Sequence, residues 1–403
     1  MSTPDRRINA SRPRPSNPGA APTLGNLFFS FVRLGATAFG GPAMVVYIRQ
    51  MAVEQKGWLG ARAFDDGVAL CQAIPGATAM QTAAYVGLSV RGVPGAAASF
   101  VGFGLPAFLL MLVLSAAYEH AHSLPKVVSV PGGLQAVVVA VVANAAVSFA
   151  RTILTRWRRV PITGLAVALF AWGCSPFLVV ALSASLGYWL GDERTPLPAG
   201  GVFPATIPDT RKPVLLIALV AAAVLAALFC CQRQLYELGA MMVRIDLFAF
   251  GGGFASVPLL FNEVVTTRHW LEGAPLMDGI LLGQITPGPI VITATFVGYL
   301  LYGTMGALVA TVAIFLPSFL VVIAVAPWFD RLRVSPLLAR LIAGALCSFP
   351  GLLLIVAVSF GQSVRWDARQ VGLAVAAFAV LRLGVGILWV VLAATAVSLV
   401  FGY

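Results

Sequence analysis

The stretch Gln72-Ala73-Ile74-Pro75-Gly76 returns as Gln284-Ile285-Thr286-Pro287-Gly288, and its neighbours return with it at an offset of 211 or 212. Arg33 matches Arg244, Phe39-Gly40-Gly41 matches Phe250-Gly251-Gly252, Trp58 matches Trp270 and Asp66 matches Asp278. Val86-Gly87 recurs as Val297-Gly298, Gly92 and Gly95 as Gly303 and Gly306, and Leu105-Pro106 as Leu316-Pro317. Further on, Gly164-Leu165-Ala166-Val167-Ala168 recurs as Gly372-Leu373-Ala374-Val375-Ala376, offset by 208. Apolar composition alone repeats leucines and valines. It does not align Arg, Trp, Asp and Gln at one near-constant spacing, so the chain is a fused duplication.

The setting of this repeat is a bilayer. Of 403 residues, 59% are hydrophobic and only 10% charged, whereas a soluble domain carries about a quarter charged residues. Residues 213–231 (PVLLIALVAAAVLAALFCC) hold no charge, and about 20 such residues span a membrane as a helix. The expected class is therefore an all-α polytopic membrane protein. Soluble enzymes, disulfide scaffolds and disordered chains are excluded, as is a β-barrel, whose strands would alternate in short segments. The net charge of +11 is a topology signal, since basic residues gather in cytoplasmic loops. It builds no aromatic-interleaved surface for nucleic acid. Cys71, Cys174, Cys230, Cys231 and Cys347 are too few and too irregularly spaced for a metal site or a disulfide framework.

Residues 1–23 are polar and proline-rich, with four arginines and no continuous apolar core; they read as a disordered cytoplasmic tail rather than a cleaved signal. A first transmembrane repeat is expected over 24–191, a linker with a connecting helix over 192–236, and a second repeat over 237–403. Apolar segments at about 24–48, 64–90, 94–118, 132–150, 161–190, 213–231, 237–261, 277–301, 305–328, 337–360 and 369–402 give 11 to 13 crossings. The range reflects breaks at Gly173-Cys174-Ser175-Pro176 and around Arg382-Leu383-Gly384. If 161–190 crosses twice, seven crossings precede residue 237 and the halves are inverted; if once, they are parallel. The unmatched segment 213–231 favours inversion, the arrangement common in secondary transporters.

Chemistry is expected where corresponding helices break in both halves. The first pair of breaks is Gly40-Gly41-Pro42 and Gly251-Gly252-Gly253; the second is Pro75-Gly76 and Pro287-Gly288. Unwound backbone in hydrocarbon is tolerated only where protein or water satisfies it, and freed N–H groups at helix N-termini favour an anion. Arg33 and Arg244 lie six residues before Phe39 and Phe250, which lead into the glycine runs, and guanidinium forks match oxyanions. Gln72 and Thr78, with Gln284, Thr286 and Thr293 opposite, would add neutral donors. Asp246 is an intramembrane acid, a coupling candidate or a partner for Arg244. Asp66 and Asp278 read as helix-start acids, Glu54 and Glu263 as interfacial ones. No phosphate-binding nucleotide loop, metal cluster or cofactor motif is expected.

These motifs as a set resemble the chromate ion transporter family. They comprise Phe31-Val32-Arg33-Leu34-Gly35, Phe39-Gly40-Gly41-Pro42 and Gln72-Ala73-Ile74-Pro75-Gly76. Phe248-Ala249-Phe250-Gly251-Gly252-Gly253 and Gln284-Ile285-Thr286-Pro287-Gly288-Pro289 complete the set. The resemblance covers nearly all of the chain after residue 24. It implies an inner-membrane, non-enzymatic exporter of chromate, a sulfate-like dianion, conferring resistance and driven by the membrane potential or a proton gradient. Sulfate or another oxyanion, or a passive anion channel, fits the same architecture. A homodimer is a further expectation. An intramembrane reductase using Cys230 and Cys231 lacks any accompanying cofactor motif.

Overall fold

The computed structural model describes residues 22–39, 43–121, 131–190, 210–329, 335–364 and 366–401. Most of the expected N-terminal tail, the run Gly40-Gly41-Pro42 and the loops at 122–130, 191–209 and 330–334 lie outside these residues.

The first repeat opens with α1 (Leu24–Thr37) and α2 (Ala43–Arg49), which runs into a π-helical turn at Gln50–Gln55. Thr23 caps α1, its hydroxyl accepting the Asn26 amide at 3.2 Å, as a threonine at an N-cap does. Next come α3 (Ala61–Ala73), α4 (Thr78–Ala121), α5 (Pro131–Ile153), α6 (Arg159–Ala171) and α7 (Pro176–Leu190). The connecting helix α8 (Arg211–Cys231) has no buried residue and belongs against lipid. The second repeat returns the same order. It consists of α9 (Arg233–Phe248), α10 (Gly253–Phe261) with a π-helical turn at Asn262–Thr267, α11 (Gly273–Ile285) and α12 (Thr293–Val325). Then follow α13 (Pro336–Ser363), α14 (Ala368–Arg382) and α15 (Ile387–Phe401). The segments 161–190 and 369–402 are thus each two helices, broken at Gly173 (φ +80°) and Gly384 (φ +87°).

Helices α4 and α12 are hairpins. Each leaves helical geometry at one place, Arg91-Gly92 in α4 and Tyr302-Gly303 in α12. Ser99 Oγ then donates to the Ala83 carbonyl at 2.7 Å, and Thr295 and Thr311 share a hydroxyl bond of 2.7 Å. Residues 16 apart meet only if the chain has turned back, because a straight helix would part them by about 24 Å. The arms close on glycine: a β-carbon on Gly87 or Gly298 would overlap the carbonyl of Gly95 or Gly306, the small-residue contact that lets membrane helices touch.

Three further folds back were not expected. Tyr85 Oη donates to the Ala63 carbonyl at 3.1 Å, and its ring fills the space beside Gly67. Phe296 fills the equivalent space beside Gly279. So 64–90 and 277–301 are hairpins tipped by Pro-Gly rather than straight segments. Arg244 on α9 likewise reaches Glu263 beyond α10, which a straight helix would forbid, so α9 and α10 fold back about the glycine run. At the Pro-Gly tips proline removes a donor and glycine takes a left-handed backbone; between α9 and α10 two successive left-handed glycines, Gly251 (φ +95°) and Gly252 (φ +90°), turn the chain without a proline.

The repeats are inverted. Along the second arm of α4, Ala107, Met111 and Tyr118 meet Gly288, Gly283 and Asp278 in turn, so this arm runs antiparallel to α11. Helix α11 is antiparallel to the first arm of α12 and hence parallel to its second. The long arms of α4 and α12 therefore run in opposite directions.

Two bodies result. The hairpins of both repeats (α1–α4 and α9–α12) pack together, and α5–α7 with α13–α15 form a six-helix bundle whose parts are exchanged between repeats. Helices α6 and α7 pack on α13, where Gly187 faces Gly344 and Thr163 Oγ1 donates to the Cys347 carbonyl at 2.8 Å. Helices α14 and α15 pack on α5. Exposed Trp157, Trp172, Trp189, Trp366 and Trp389 stand at helix ends of this bundle, the level at which indole rings meet the membrane interface.

Candidate functional site

The hairpin tips of the two repeats are bonded to each other. The Gly76 amide donates to the Ala249 carbonyl at 3.0 Å, and the Gly288 amide donates to the Ala38 carbonyl at 3.0 Å. Each Pro-Gly tip thus satisfies the backbone just before the opposite repeat's glycine run, in a place where no water-facing surface does so. Gly76 and Gly288 have φ of +116° and +114°, a backbone that other residues adopt at a cost. Around the first tip, Gln81 Nε2 donates to the Pro75 carbonyl at 2.6 Å and the Ala77 amide to Ser318 Oγ at 2.9 Å. Ser318 in turn donates to Asp246, from its amide to Oδ2 at 2.7 Å and from its hydroxyl to Oδ1 at 2.9 Å.

A cavity of about 650 Å³ opens where the tips face the bundle. Ala77, Thr78 and Ala79 line it at the start of α4, Gly251 to Phe254 at the start of α10, Met44 to Val46 in α2, and Pro289 and Ile290 ahead of α12. The segments that follow all four breaks therefore reach one space. From the bundle, α5 supplies Ser148, Phe149, Thr152 and Ile153, and α13 supplies Leu346. Every lining residue is uncharged. The two repeats come close here: a β-carbon on Gly252 would stand 3.1 Å from Thr78 Oγ1, and Gly252 itself has φ of +90°. What such a space offers a ligand is amide N–H groups at two helix starts, hydroxyls and one carboxamide, Gln72, against apolar walls. That combination suits an anion stripped of water but bound without a counter-charge.

The structure sorts the expected residues. Gln72, Gly251, Gly252 and Gly253 line the cavity. Pro75, Gly76, Pro287 and Gly288 form the tips that shape it. Gly40, Gly41 and Pro42 lie outside the described residues. Gln284 and Thr286 are buried away from it, Thr286 Oγ1 donating to its own helix at the Gly283 carbonyl (3.2 Å). Thr293 likewise bonds the Ile290 carbonyl at 2.9 Å.

Neither arginine lines the cavity. Arg33 is exposed on α1. Arg244 pairs with Glu263 and stacks on Phe177, 4.4 Å from the ring centroid. Arg268 joins them, 3.4 Å from Glu263 and 3.9 Å from Glu237. So Glu263, read as interfacial, is a buried carboxylate held by two arginines, and Asp246 is not the partner of Arg244. Residues two apart on a helix point to different faces. Asp66 and Asp278 are also not helix-start acids. They are buried in the middle of α3 and α11, where Asp278 accepts the Tyr118 hydroxyl at 2.8 Å.

Ser148 and Thr152 were missed. Their spacing of four on one face of an otherwise apolar helix is the signal that could have found them.

Comparison with known proteins agrees with this architecture. The chromate transporter family matches residues 25–188 and 236–399, one match in each repeat. The chain is 39% identical over 383 residues to an uncharacterized transporter of Methanocaldococcus jannaschii, covering 95% of this chain and 94% of that one. It is 31% identical to the chromate transport protein of Cupriavidus metallidurans, covering 80% and 79%. A chromate transport protein of Pseudomonas aeruginosa is 29% identical, covering 73% and 70%. No solved structure matches. The chain belongs to the chromate transporter family.

Proposed function

We propose that this membrane transporter exports chromate, or a tetrahedral oxyanion of the same form, from the cytoplasm of a bacterial cell, and that the cavity between hairpin tips and bundle holds the anion. The observation that carries the reading is the meeting of the four breaks on one uncharged space. The N-terminal amides of α4 and α10 supply positive dipole ends. Thr78, Ser148 and Gln72 supply hydrogen bonds, while the Pro-Gly tips keep those helix starts in place. A site without a fixed cation holds a dianion loosely enough to release it on the far side, a requirement of any conducting or transporting site.

Access alternates when the hairpin body moves against the six-helix bundle. The cavity lies between these two bodies, so their relative motion opens it to one side and then the other, as inverted repeats permit. Arg33, exposed and outside the cavity, attracts the anion toward the protein. Arg244 serves structure through Glu263. Asp246 is the candidate coupling carboxylate. The N-terminus lies in the cytoplasm, where the positive-inside rule puts the four arginines that precede residue 15.

The test is uptake of labelled chromate into everted vesicles, with sulfate as competitor and with or without a proton gradient. Gradient-dependent accumulation supports export of chromate. Accumulation of sulfate alone reassigns the substrate, and rapid equilibration without accumulation rejects active transport in favour of a channel.

A further inference from the structure

We infer that Asp246 is a proton-binding site whose occupancy is linked to that of the cavity, with Ser318 as the positioning residue between them. This rests on the reading of the cavity as the anion site.

The geometry is a short relay. Asp246 is 1% exposed, and among the described residues its carboxylate has no cationic partner. Both of its oxygens accept from Ser318. The same Ser318 hydroxyl accepts the Ala77 amide, and Ala77 lines the cavity immediately before α4 begins at Thr78. The carboxylate therefore lies no more than two hydrogen-bond lengths from the amide end of a helix that faces the cavity. Two directions are fixed by their N–H donors: the Ala77 amide points to Ser318 Oγ and the Ser318 amide points to Asp246, while the Ser318 hydroxyl is free to donate to the carboxylate or accept from the carboxylic acid. When ionised, the acid accepts from both Ser318 donors.

An ionised Asp246 and an anion in the cavity then share one dipole end, and their charges repel through a poorly screened interior. Taking one proton from water neutralises the carboxyl group. The new O–H donates to Ser318 Oγ, the serine hydrogen turns away, and the α4 N-terminus is left to the anion. Linkage is reciprocal, so an anion in the cavity raises the affinity of Asp246 for the proton.

Other charged groups do not supply this response. On α9 itself Arg233 pairs with Glu237, Tyr236 packs on Phe229 and Arg244 is tied to Glu263, which follows α10, and α10 carries no titratable residue. Helix α12 brings Tyr299 and Tyr302, and α8 has Arg211, Lys212, Cys230 and Cys231 at its ends. The α4 arm that starts at Thr78 has none before Tyr85, whose hydroxyl bonds Ala63. The repeat relation sharpens the assignment. The positions equivalent to Asp246 and Ser318 are Gly35 and Ala107, and both pack tightly as they are: Gly35 against the Phe103 backbone, Ala107 against Gly288. Only one of the two tips carries the acid, so the linkage is one proton per cavity.

The experiment measures sulfate binding to the purified full chain by calorimetry at pH 6 and pH 8, alongside the infrared band of protonated carboxyl groups. Sulfate is the probe because it does not titrate in this interval. In the wild type, affinity falls about tenfold across the interval, within the range of linked sites. Asp246→Asn binds equally at both pH values, with the affinity of the wild type at pH 6. A carboxyl band absent from Asp246→Asn grows when sulfate is added to the wild type. Ser318→Ala, an exchange the fold already makes at Ala107, keeps the band but reduces the pH dependence to about threefold. A purely structural Ser318 would instead lower thermal stability and leave the pH dependence intact. The inference is overturned by pH-independent wild-type binding, by pH dependence that persists in Asp246→Asn, or by a carboxyl band indifferent to sulfate. Failure of the cavity reading is seen separately, as undiminished sulfate binding by Thr78→Val.

Discussion

The amide of Gly76 is bonded at 3.0 Å to the carbonyl of Ala249, 173 positions further along the chain and across the seam between the two repeats. Its counterpart runs from Gly288 to Ala38 at the same length. These two bonds set the centre of the molecule. They place each Pro-Gly tip under the opposite glycine run, and the cavity opens beside them.

Gly76→Ala is expected to disable the protein. The added carbon would meet Ser318 Oγ and Gln81 Nε2 at a φ of +116°, and a left-handed backbone alone costs about 1–2 kcal/mol. Gly303→Ala, at φ +60° with nothing within 4 Å, bears only that backbone cost. Thermal stability in detergent and vesicle uptake are expected to fall sharply for the first and slightly for the second.

Gly344→Ala should loosen the bundle, because its new carbon would overlap the Ser183 carbonyl and the Gly187 backbone on α7. Overpacking of this kind costs about 1–3 kcal/mol. Gly164→Ala is the control: α6 has open space there, and replacing a mid-helix glycine gains about 0.5–1 kcal/mol. Melting temperatures of the two variants should move in opposite directions from the wild type.

Arg244→Ala should destabilise the fold rather than remove a ligand. Its Glu263 partner has a side chain only 5% exposed, and a buried carboxylate that loses an arginine is left partly unpaired. With Arg244 itself 43% exposed and Arg268 still present, the loss is expected near about 1–2 kcal/mol. The double variant Arg244→Ala, Glu263→Gln should recover part of it, read as a less-than-additive change in denaturation midpoint.

Arg33→Ala should do the reverse: leave stability unchanged and slow uptake. Its effect should fade between low and physiological salt, because exposed charges are screened within about 8–10 Å. Uptake rates at two ionic strengths check this. A salt-independent loss would assign Arg33 a direct contact instead.

Thr78→Val should weaken anion capture about tenfold while preserving the fold, matching the loss of one hydrogen bond to a charged group. Thr78→Ser should retain most activity. Concentration dependence of uptake separates the two.

Much of this was legible. The aligned Arg, Trp, Asp and Gln announced the duplication, and the position of prolines and glycines announced where helices break. What remained hidden was the consequence of a break. Proline and glycine declare that a helix ends but not whether the chain goes on or turns back, and that choice is made by partners distant in sequence, Tyr85 with Ala63 and Phe296 with Gly279. The same limit misplaced the charges. Arg33 and Arg244 match in sequence, yet only Arg244 has a carboxylate to meet, since Met51 occupies the place of Glu263 in the first repeat. Ser148 and Thr152 went unseen because two hydroxyls in an apolar helix bond their own turn as readily as a ligand.

The central claim, that substrate occupies the space between the tips and α5, is tested most directly by thiol labelling. Ser148→Cys in everted vesicles, with Cys230 and Cys231 replaced by serine, is treated with a bulky alkylating reagent. Labelling is compared with and without the oxyanion that wild-type vesicles accumulate. The account predicts that the oxyanion slows labelling and that the labelled protein no longer accumulates it. Labelling at the same rate with and without the oxyanion, in protein that then transports at the wild-type rate, would contradict it.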